Sequence, residues 1–149
     1  MADAGPALDV RALGELAVYV RGRQVELPAS RKTRALLAYL ALTGRPHLRA
    51  TLCELLWSGP DDPRAALRWS LSKLRSAVGE AGSAFAATRD HLGIDTGRMT
   101  LDLADVRAVH ASLGGRSISE LEAAARRFRG ELLEDLDWSD SYRFHEWCL

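Results

Sequence analysis

Six side chains that are able to contact a nucleic acid stand close together in residues 61–79. Arginine binds guanine edges or phosphate, lysine binds phosphate, serine contacts either, and an aromatic ring contacts the thymine methyl group. The six residues are Arg64, Arg68, Trp69, Ser72, Lys73 and Arg75. If one helix carries them, they form a surface that is positively charged and partly aromatic.

The same segment predicts a capped helix over residues 63–78 that would position these side chains. Asp62 is a favourable N-cap, Pro63 suits the first helical position, and Gly79 suits the left-handed position after the last turn. An apolar stripe with helical spacing is formed by Leu67, Leu71, Leu74 and Val78. The stripe would pack on a small domain and leave the polar residues on the open and flanking faces. The obvious partner for such a face is DNA.

Composition places the chain among folded proteins and gives weak support for a nucleic-acid partner. The 149 residues are 47% hydrophobic and 27% charged, and the formal net charge is zero. Residues 1–100 contain 14 Lys and Arg against 10 Asp and Glu, whereas residues 101–149 contain 6 against 10. A basic first part followed by an acidic second part fits a DNA-binding domain joined to a domain that does not bind DNA.

Targeting signals are missing from the sequence. The N-terminal residues lack the basic and apolar regions of a signal peptide, and no apolar run reaches membrane-spanning length. Cys53 and Cys148 lie far apart in helical patterns, so we expect free thiols in a reducing compartment. The sequence therefore predicts a cytoplasmic protein with no membrane partner.

Strands surround the three helices of the first part. Alternating apolar residues over 8–27 predict three short antiparallel strands. A helix over residues 31–43 follows, and then a second helix over residues 48–57, which has no good N-cap residue at its entry. After the third helix, residues 85–96 predict two strands around a tight turn near Arg89–His91.

Residues 101–149 show helical periodicity instead. Apolar spacing over 103–113 predicts one helix, and Ser117 with Glu120 forms a capping-box pattern at the start of a second. The inward residues of that second helix would be Leu121, Ala124, Ala125 and Phe128. A third helix would begin near Ser139. This pattern is typical of a helical-repeat array, whose units need stacked neighbours. We therefore expect the N-terminal piece of a longer protein, or a short protein that completes its core by dimerisation.

The order of elements resembles the OmpR-type winged helix, and it resembles more closely the architecture of the antibiotic regulatory (SARP) family. In that family a bacterial transcriptional activator domain with tetratricopeptide-like helices follows the winged helix. The matching segments are residues 13–16, 34–42, 54–57, 66–75 and 128–136. The resemblance implies an α+β fold with two domains. A winged helix over residues 8–98 would have N-terminal antiparallel strands, three helices and a C-terminal β-hairpin wing, and an all-α, helical-repeat-like segment would cover residues 101–149.

The same resemblance implies a DNA-binding transcriptional regulator. Its third helix (63–78) would read the major groove through the six residues named above. Its wing, near residues 88–92, would contact the backbone or the minor groove through Arg89 and His91. The implied partner is double-stranded DNA, and RNA polymerase and a second copy of the chain on DNA are further candidates.

A winged helix that binds proteins and not DNA is the alternative. The zero net charge, the uncharged Ser70 and Ser72 at outward positions and the exposed ring of Trp69 favour it. No Gly-rich phosphate loop and no supported catalytic Ser, Cys or His arrangement is present, so we expect neither an enzyme nor a cofactor. His145 and Cys148 stand one turn apart without further ligands nearby, so we expect no metal site.

Overall fold

The computed structural model describes residues 7–59, 62–136 and 142–148. The strands in these ranges are β1 (Leu8–Arg11), β2 (Ala17–Val20), β3 (Arg23–Gln24), β4 (His47–Leu48), β5 (Phe85–Ala87), β6 (His91–Ile94) and β7 (Met99–Leu101). The helices are α1 (Arg31–Thr43), α2 (Arg49–Leu56), α3 (Pro63–Val78), α4 (Asp102–Ala111), α5 (Ile118–Ala125) and α6 (Tyr142–Cys148). Short 3-10 turns cover residues 79–84, 96–98 and 113–115.

The first sheet has the strand order β3-β2-β1-β7. β1 pairs antiparallel with β2, and β2 pairs antiparallel with β3, which confirms the predicted N-terminal strands. Arg21 and Gly22 join β2 to β3 with φ values of 51° and 77°, because a two-residue type I′ turn requires positive φ at both positions. β7 pairs parallel with β1 and was not predicted, since three residues are too few to show an alternating pattern.

Helices α1 and α3 begin at side-chain caps. Ser30 Oγ accepts a hydrogen bond from Thr33 N, and Asp62 Oδ1 accepts one from Ala65 N, which confirms the predicted cap of α3. After α3, Gly79 has a positive φ of 56° but a ψ of −117°. The predicted left-handed C-terminal conformation is therefore wrong, because the chain enters the 3-10 turn over residues 79–84 directly.

Helix α2 begins without a side-chain cap. The backbone N–H of Arg49 donates instead to Asp90 O at 2.8 Å, so a carbonyl of the β5–β6 turn satisfies the first donor of the helix. His47 and Leu48, just before α2, form β4 and pair with β6, which gives a second sheet of order β4-β6-β5. β4 was not predicted, because a strand of two residues has no periodic signal.

One hydrophobic core joins α1, α2 and α3 to both sheets. The predicted stripe of α3 is buried in it, at 6% exposure or less for Leu67, Leu71, Leu74 and Val78. Burial of a leucine side chain stabilises a fold by about 1.5–3 kcal/mol. This stripe therefore fixes which side of α3 faces outward.

Helices α4 and α5 leave much of their apolar surface exposed. The predicted capping box of Ser117 and Glu120 is present at the start of α5. However, Ile118 is 76% exposed, Phe128 is 55% exposed, and α5 has no buried residue. The prediction that Leu121, Ala125 and Phe128 face inward is wrong, because all three are exposed, whereas Ala124 is half-buried. In the described ranges, α4 is the element that packs closely on α5.

After α5 the chain returns to the first sheet and to α1. Leu133 is fully buried, and its backbone N–H donates to Ala12 O at 2.9 Å. Asp135 accepts from Leu16 N at 2.8 Å and from Arg34 Nη1 at 3.3 Å. Both predicted domains therefore contribute to one core, and the division between them stays a prediction.

Helix α6 packs on α1 and α2. The Trp147 ring stands edge-on to Tyr39 of α1, with 4.7 Å between the ring centres. Phe144 is fully buried beside Trp147, at 5.3 Å between ring centres. The predicted start of this helix near Ser139 lies outside the described residues. In the described ranges, every helix is too short or too polar to cross a membrane.

Candidate nucleic-acid interface

The side of α3 opposite its buried stripe is open to solvent along the whole helix. All six predicted contact residues of α3 are exposed, and Trp69 is 52% exposed. At 100° per residue, Trp69 and Ser72 lie nearest the centre of the open face, and Arg64 and Arg75 flank the buried stripe on one side. Lys73 lies towards the other side. The helix therefore brings the six side chains together as predicted.

The charged groups on this face differ in what they contact. Arg64 and Arg68, one turn apart, make no hydrogen bond or ion pair within the part of the chain that the structure describes. Lys73 Nζ lies 5.4 Å from the centre of the Trp69 ring, which places the ammonium group within cation–π range. Among the described residues, the donors of these two arginine side chains are therefore unused.

Ser70 is a buried residue of α3. It is 1% exposed, and its Oγ lies 2.9 Å from Thr33 Oγ1 of α1, where each hydroxyl gives the other a hydrogen-bonding partner. The prediction that Ser70 stands at an outward position is wrong. A hydroxyl can be buried in a helix–helix contact when a second hydroxyl faces it. Thr33 is 37 residues away in sequence, so the spacing within α3 does not reveal this partner.

Arg75 contacts the chain itself. Its Nη2 donates to Phe85 O at 2.9 Å, so the last turn of α3 is joined to the first residue of β5. Gly82 packs on the backbone of Arg75, and a Cβ atom at position 82 would lie 3.3 Å from Arg75 O. The turn between α3 and β5 is therefore folded tightly against the end of the helix.

The predicted hairpin is formed by β5 and β6, which pair antiparallel. Thr88 N donates to His91 O at 2.9 Å, and His91 N donates to Thr88 Oγ1 at 3.0 Å, so two hydrogen bonds close the turn. Arg89, Asp90 and His91 are all exposed at this turn. The carboxylate of Asp90, next to Arg89 in sequence, reduces the net positive charge of the turn.

Arg49 is a residue of this region that the sequence did not indicate. Besides its backbone bond to Asp90, its Nε donates to Thr88 O at 3.1 Å. The start of α2 therefore holds the hairpin turn through two hydrogen bonds. The signal that could have revealed it is the missing N-cap of α2, because an uncapped helix start needs acceptors from elsewhere in the fold.

Residues 7–59, 62–136 and 142–148 contain no group of three His, Cys, Asp or Glu side chains that could hold a metal ion. Both thiols are free. Burial raises the pKa of Cys53, and it raises the pKa of Cys148 to about 11. The thiols are therefore protonated near neutral pH and are poor ligands and nucleophiles in that form.

One solved structure has the same arrangement over nearly the whole chain. Mycobacterium tuberculosis EmbR, in complex with a low-affinity phosphopeptide, matches with a TM-score of 0.75 and 28% sequence identity over 96% of this chain. EmbR is a transcriptional regulator of the SARP family. The fold of this chain is SARP-like.

The match has a limited extent. This chain spans 41% of the length of the EmbR chain. No family model matches the sequence, and no curated protein sequence matches it.

Proposed function

We propose that this chain is a DNA-binding transcriptional regulator, with α3 in the major groove of double-stranded DNA. The observation that carries the proposal is the exposed face of α3, where Arg64 and Arg68 have no partner within the described residues. The buried leucine stripe on the other side holds this face outward. The hairpin β5–β6 would serve as the wing and contact the backbone or minor groove through Arg89 and His91.

Each contact residue has a chemical role in this proposal. Arg64 and Arg68 would bind guanine edges or phosphates, and Lys73 would bind a phosphate as a point charge. Trp69 and Ser72, near the centre of the open face, would approach the bases. The same proposal includes RNA polymerase and a second copy of the chain on an adjacent half-site as candidate partners. It also includes the division of the chain into a winged helix over residues 8–98 and a helical domain over residues 101–149.

The test is a selection of duplexes from a random DNA pool, followed by titration of the selected duplex at several salt concentrations. The logarithm of the association constant should fall linearly with the logarithm of salt, with a slope of about −0.9 for each phosphate contact. Arg68→Ala should weaken binding by about 1–3 kcal/mol if the residue reads a base. Arg107→Ala, an exposed arginine on α4, is the matched control and should leave affinity unchanged.

Absence of any enriched duplex, or an affinity that does not depend on salt, would overturn the proposal. The second candidate is a protein-interaction module, and the half-exposed ring of Trp69 favours it. Under this second hypothesis the tryptophan emission of the protein stays unchanged when DNA is added, and Arg64→Ala and Arg68→Ala behave like the Arg107→Ala control.

A further inference from the structure

The β5–β6 hairpin is held at both ends by arginine side chains from two different helices. At its base, Arg75 of α3 donates to Phe85 O at 2.9 Å. At its turn, Arg49 of α2 donates to Thr88 O at 3.1 Å through Nε and to Asp90 O at 2.8 Å through its backbone N–H. The hairpin is therefore fixed to the helices before any ligand arrives.

The base contact is closely packed on both sides. Phe85 is 2% exposed, so its side chain is fixed in the core, and it pairs with Ile94 across the hairpin. On the helix side, Gly82 packs against the backbone of Arg75. A guanidinium bond to a carbonyl is charge-assisted and stronger than a neutral one. Arg75 therefore transmits the position of α3 to the first strand of the hairpin.

We propose that Arg75 and Arg49 are positioning residues, which set the distance and angle between α3 and the hairpin and do not themselves bind phosphate. This inference rests on the proposed function, because it matters for DNA only if both elements contact one duplex. Arg75 would then act on DNA binding indirectly, by positioning the hairpin, and not through the direct DNA contact that the sequence predicts. Two surfaces with a fixed spacing avoid the ordering cost that a mobile hairpin would add to binding.

The first experiment measures hydrogen exchange of the hairpin amides in the free protein, without DNA. Arg75→Met keeps most of the apolar stem but removes the donor, and it should speed exchange of residues 85–94 by about tenfold. Arg68→Met, also on the exposed side of α3, is the matched control and should leave these amides unchanged. Arg49→Met is a second variant, and it should affect the amides near Thr88 most.

The second experiment measures DNA affinity and its salt slope for the wild-type protein and for Arg75→Met. Arg75→Met should raise the dissociation constant by about tenfold while the slope changes by much less than the 0.9 expected for a lost phosphate contact. In hydroxyl-radical footprints, protection by the hairpin should be lost while protection by α3 remains.

The outcomes separate the two proposals. Two results in Arg75→Met would together overturn the inference and make Arg75 a phosphate contact. Hydrogen exchange of the hairpin amides would be unchanged, and the salt slope of DNA binding would become less steep by about 0.9. If the wild-type protein binds no duplex, the proposed function fails and the positioning of DNA contacts fails with it. The exchange data then still decide whether the two arginines hold the hairpin.

Discussion

The hydroxyl oxygens of Thr33 and Ser70 lie 2.9 Å apart in the buried contact between α1 and α3. Both residues are at most 1% exposed, so each hydroxyl depends on the other and not on water. The pair also fixes the rotation of α3 about its own axis. With Ser70 turned inward, its neighbours Trp69 and Ser72 lie on the exposed side.

Ser70→Ala should lower the free energy of unfolding by about 1–2 kcal/mol, because it leaves the Thr33 hydroxyl buried without a partner. The double variant Thr33→Val/Ser70→Ala should lose less than the sum of the two single losses. Urea unfolding followed by circular dichroism measures both. A Ser70→Ala protein of wild-type stability that no longer binds DNA would show that Ser70 faces outward.

Asp102→Ala should be among the most destabilising single changes in the second part of the chain. The Asp102 carboxylate is 3% exposed and accepts hydrogen bonds from Ala12 N, Leu13 N and Leu103 N at 2.8–3.0 Å. Its loss leaves buried backbone donors unsatisfied, so we expect a decrease of about 3 kcal/mol or more in the free energy of unfolding.

The matched control for this change is Asp105→Ala on the same helix. Asp105 forms an exposed ion pair with Arg127 at 3.4 Å, and exposed pairs contribute less than about 1 kcal/mol. Equal losses in the two variants, measured by thermal or urea unfolding, would contradict the role given to the buried carboxylate.

Stability should depend on pH through His47. This residue is 4% exposed, and burial, followed by the positive charge of Arg45, lowers its pKa below the ordinary value of 6.5. The unfolded chain therefore binds a proton at a higher pH than the folded one. The free energy of unfolding should be constant well above pH 6.5 and should fall as the pH drops from there to the folded pKa.

His47→Gln should remove this decrease, and His110→Gln, at an exposed position, is the control that should keep it. Urea unfolding at intervals between about pH 5 and 8 measures the difference. Increasing stability of the wild-type protein as the pH falls through this window would show that the folded state favours charged His47.

Truncation of an apolar residue in the second part should cost much more stability at a buried position than at an exposed one. Leu133 is fully buried, and Leu133→Ala should cost about 3 kcal/mol. Ile118 is 76% exposed, and Ile118→Ala should change the free energy of unfolding by less than about 0.5 kcal/mol. A large loss for Ile118→Ala in dilute solution would reveal that α5 is covered by another copy, and the loss would then depend on protein concentration.

The helices of the first part could be predicted because their signals are local. Asp62, Pro63 and the leucine stripe of α3 lie within one segment and act through neighbours in sequence. β4 and β7 could not be predicted in this way. They are strands because β6 and β1 supply their hydrogen-bonding partners from distant parts of the chain.

The candidate site was predictable to the same degree. Helical geometry alone placed Arg64, Arg68 and Trp69 on the open face of α3. It failed for Ser70, whose environment depends on Thr33, and it did not reveal Arg49, whose acceptors belong to the hairpin turn. Polar residues satisfied by distant partners are therefore the ones that sequence patterns place wrongly.

The parallel pairing of β7 with β1 also constrains how the protein is made. β1 leaves the ribosome before its partner on one side, residues 99–101, has been synthesised. Until these residues are synthesised, β1 has one unpaired edge, which is able to pair with another chain. Completion of the sheet is a late, non-local step that slows folding, and a fragment that ends at residue 98 would retain this open edge permanently.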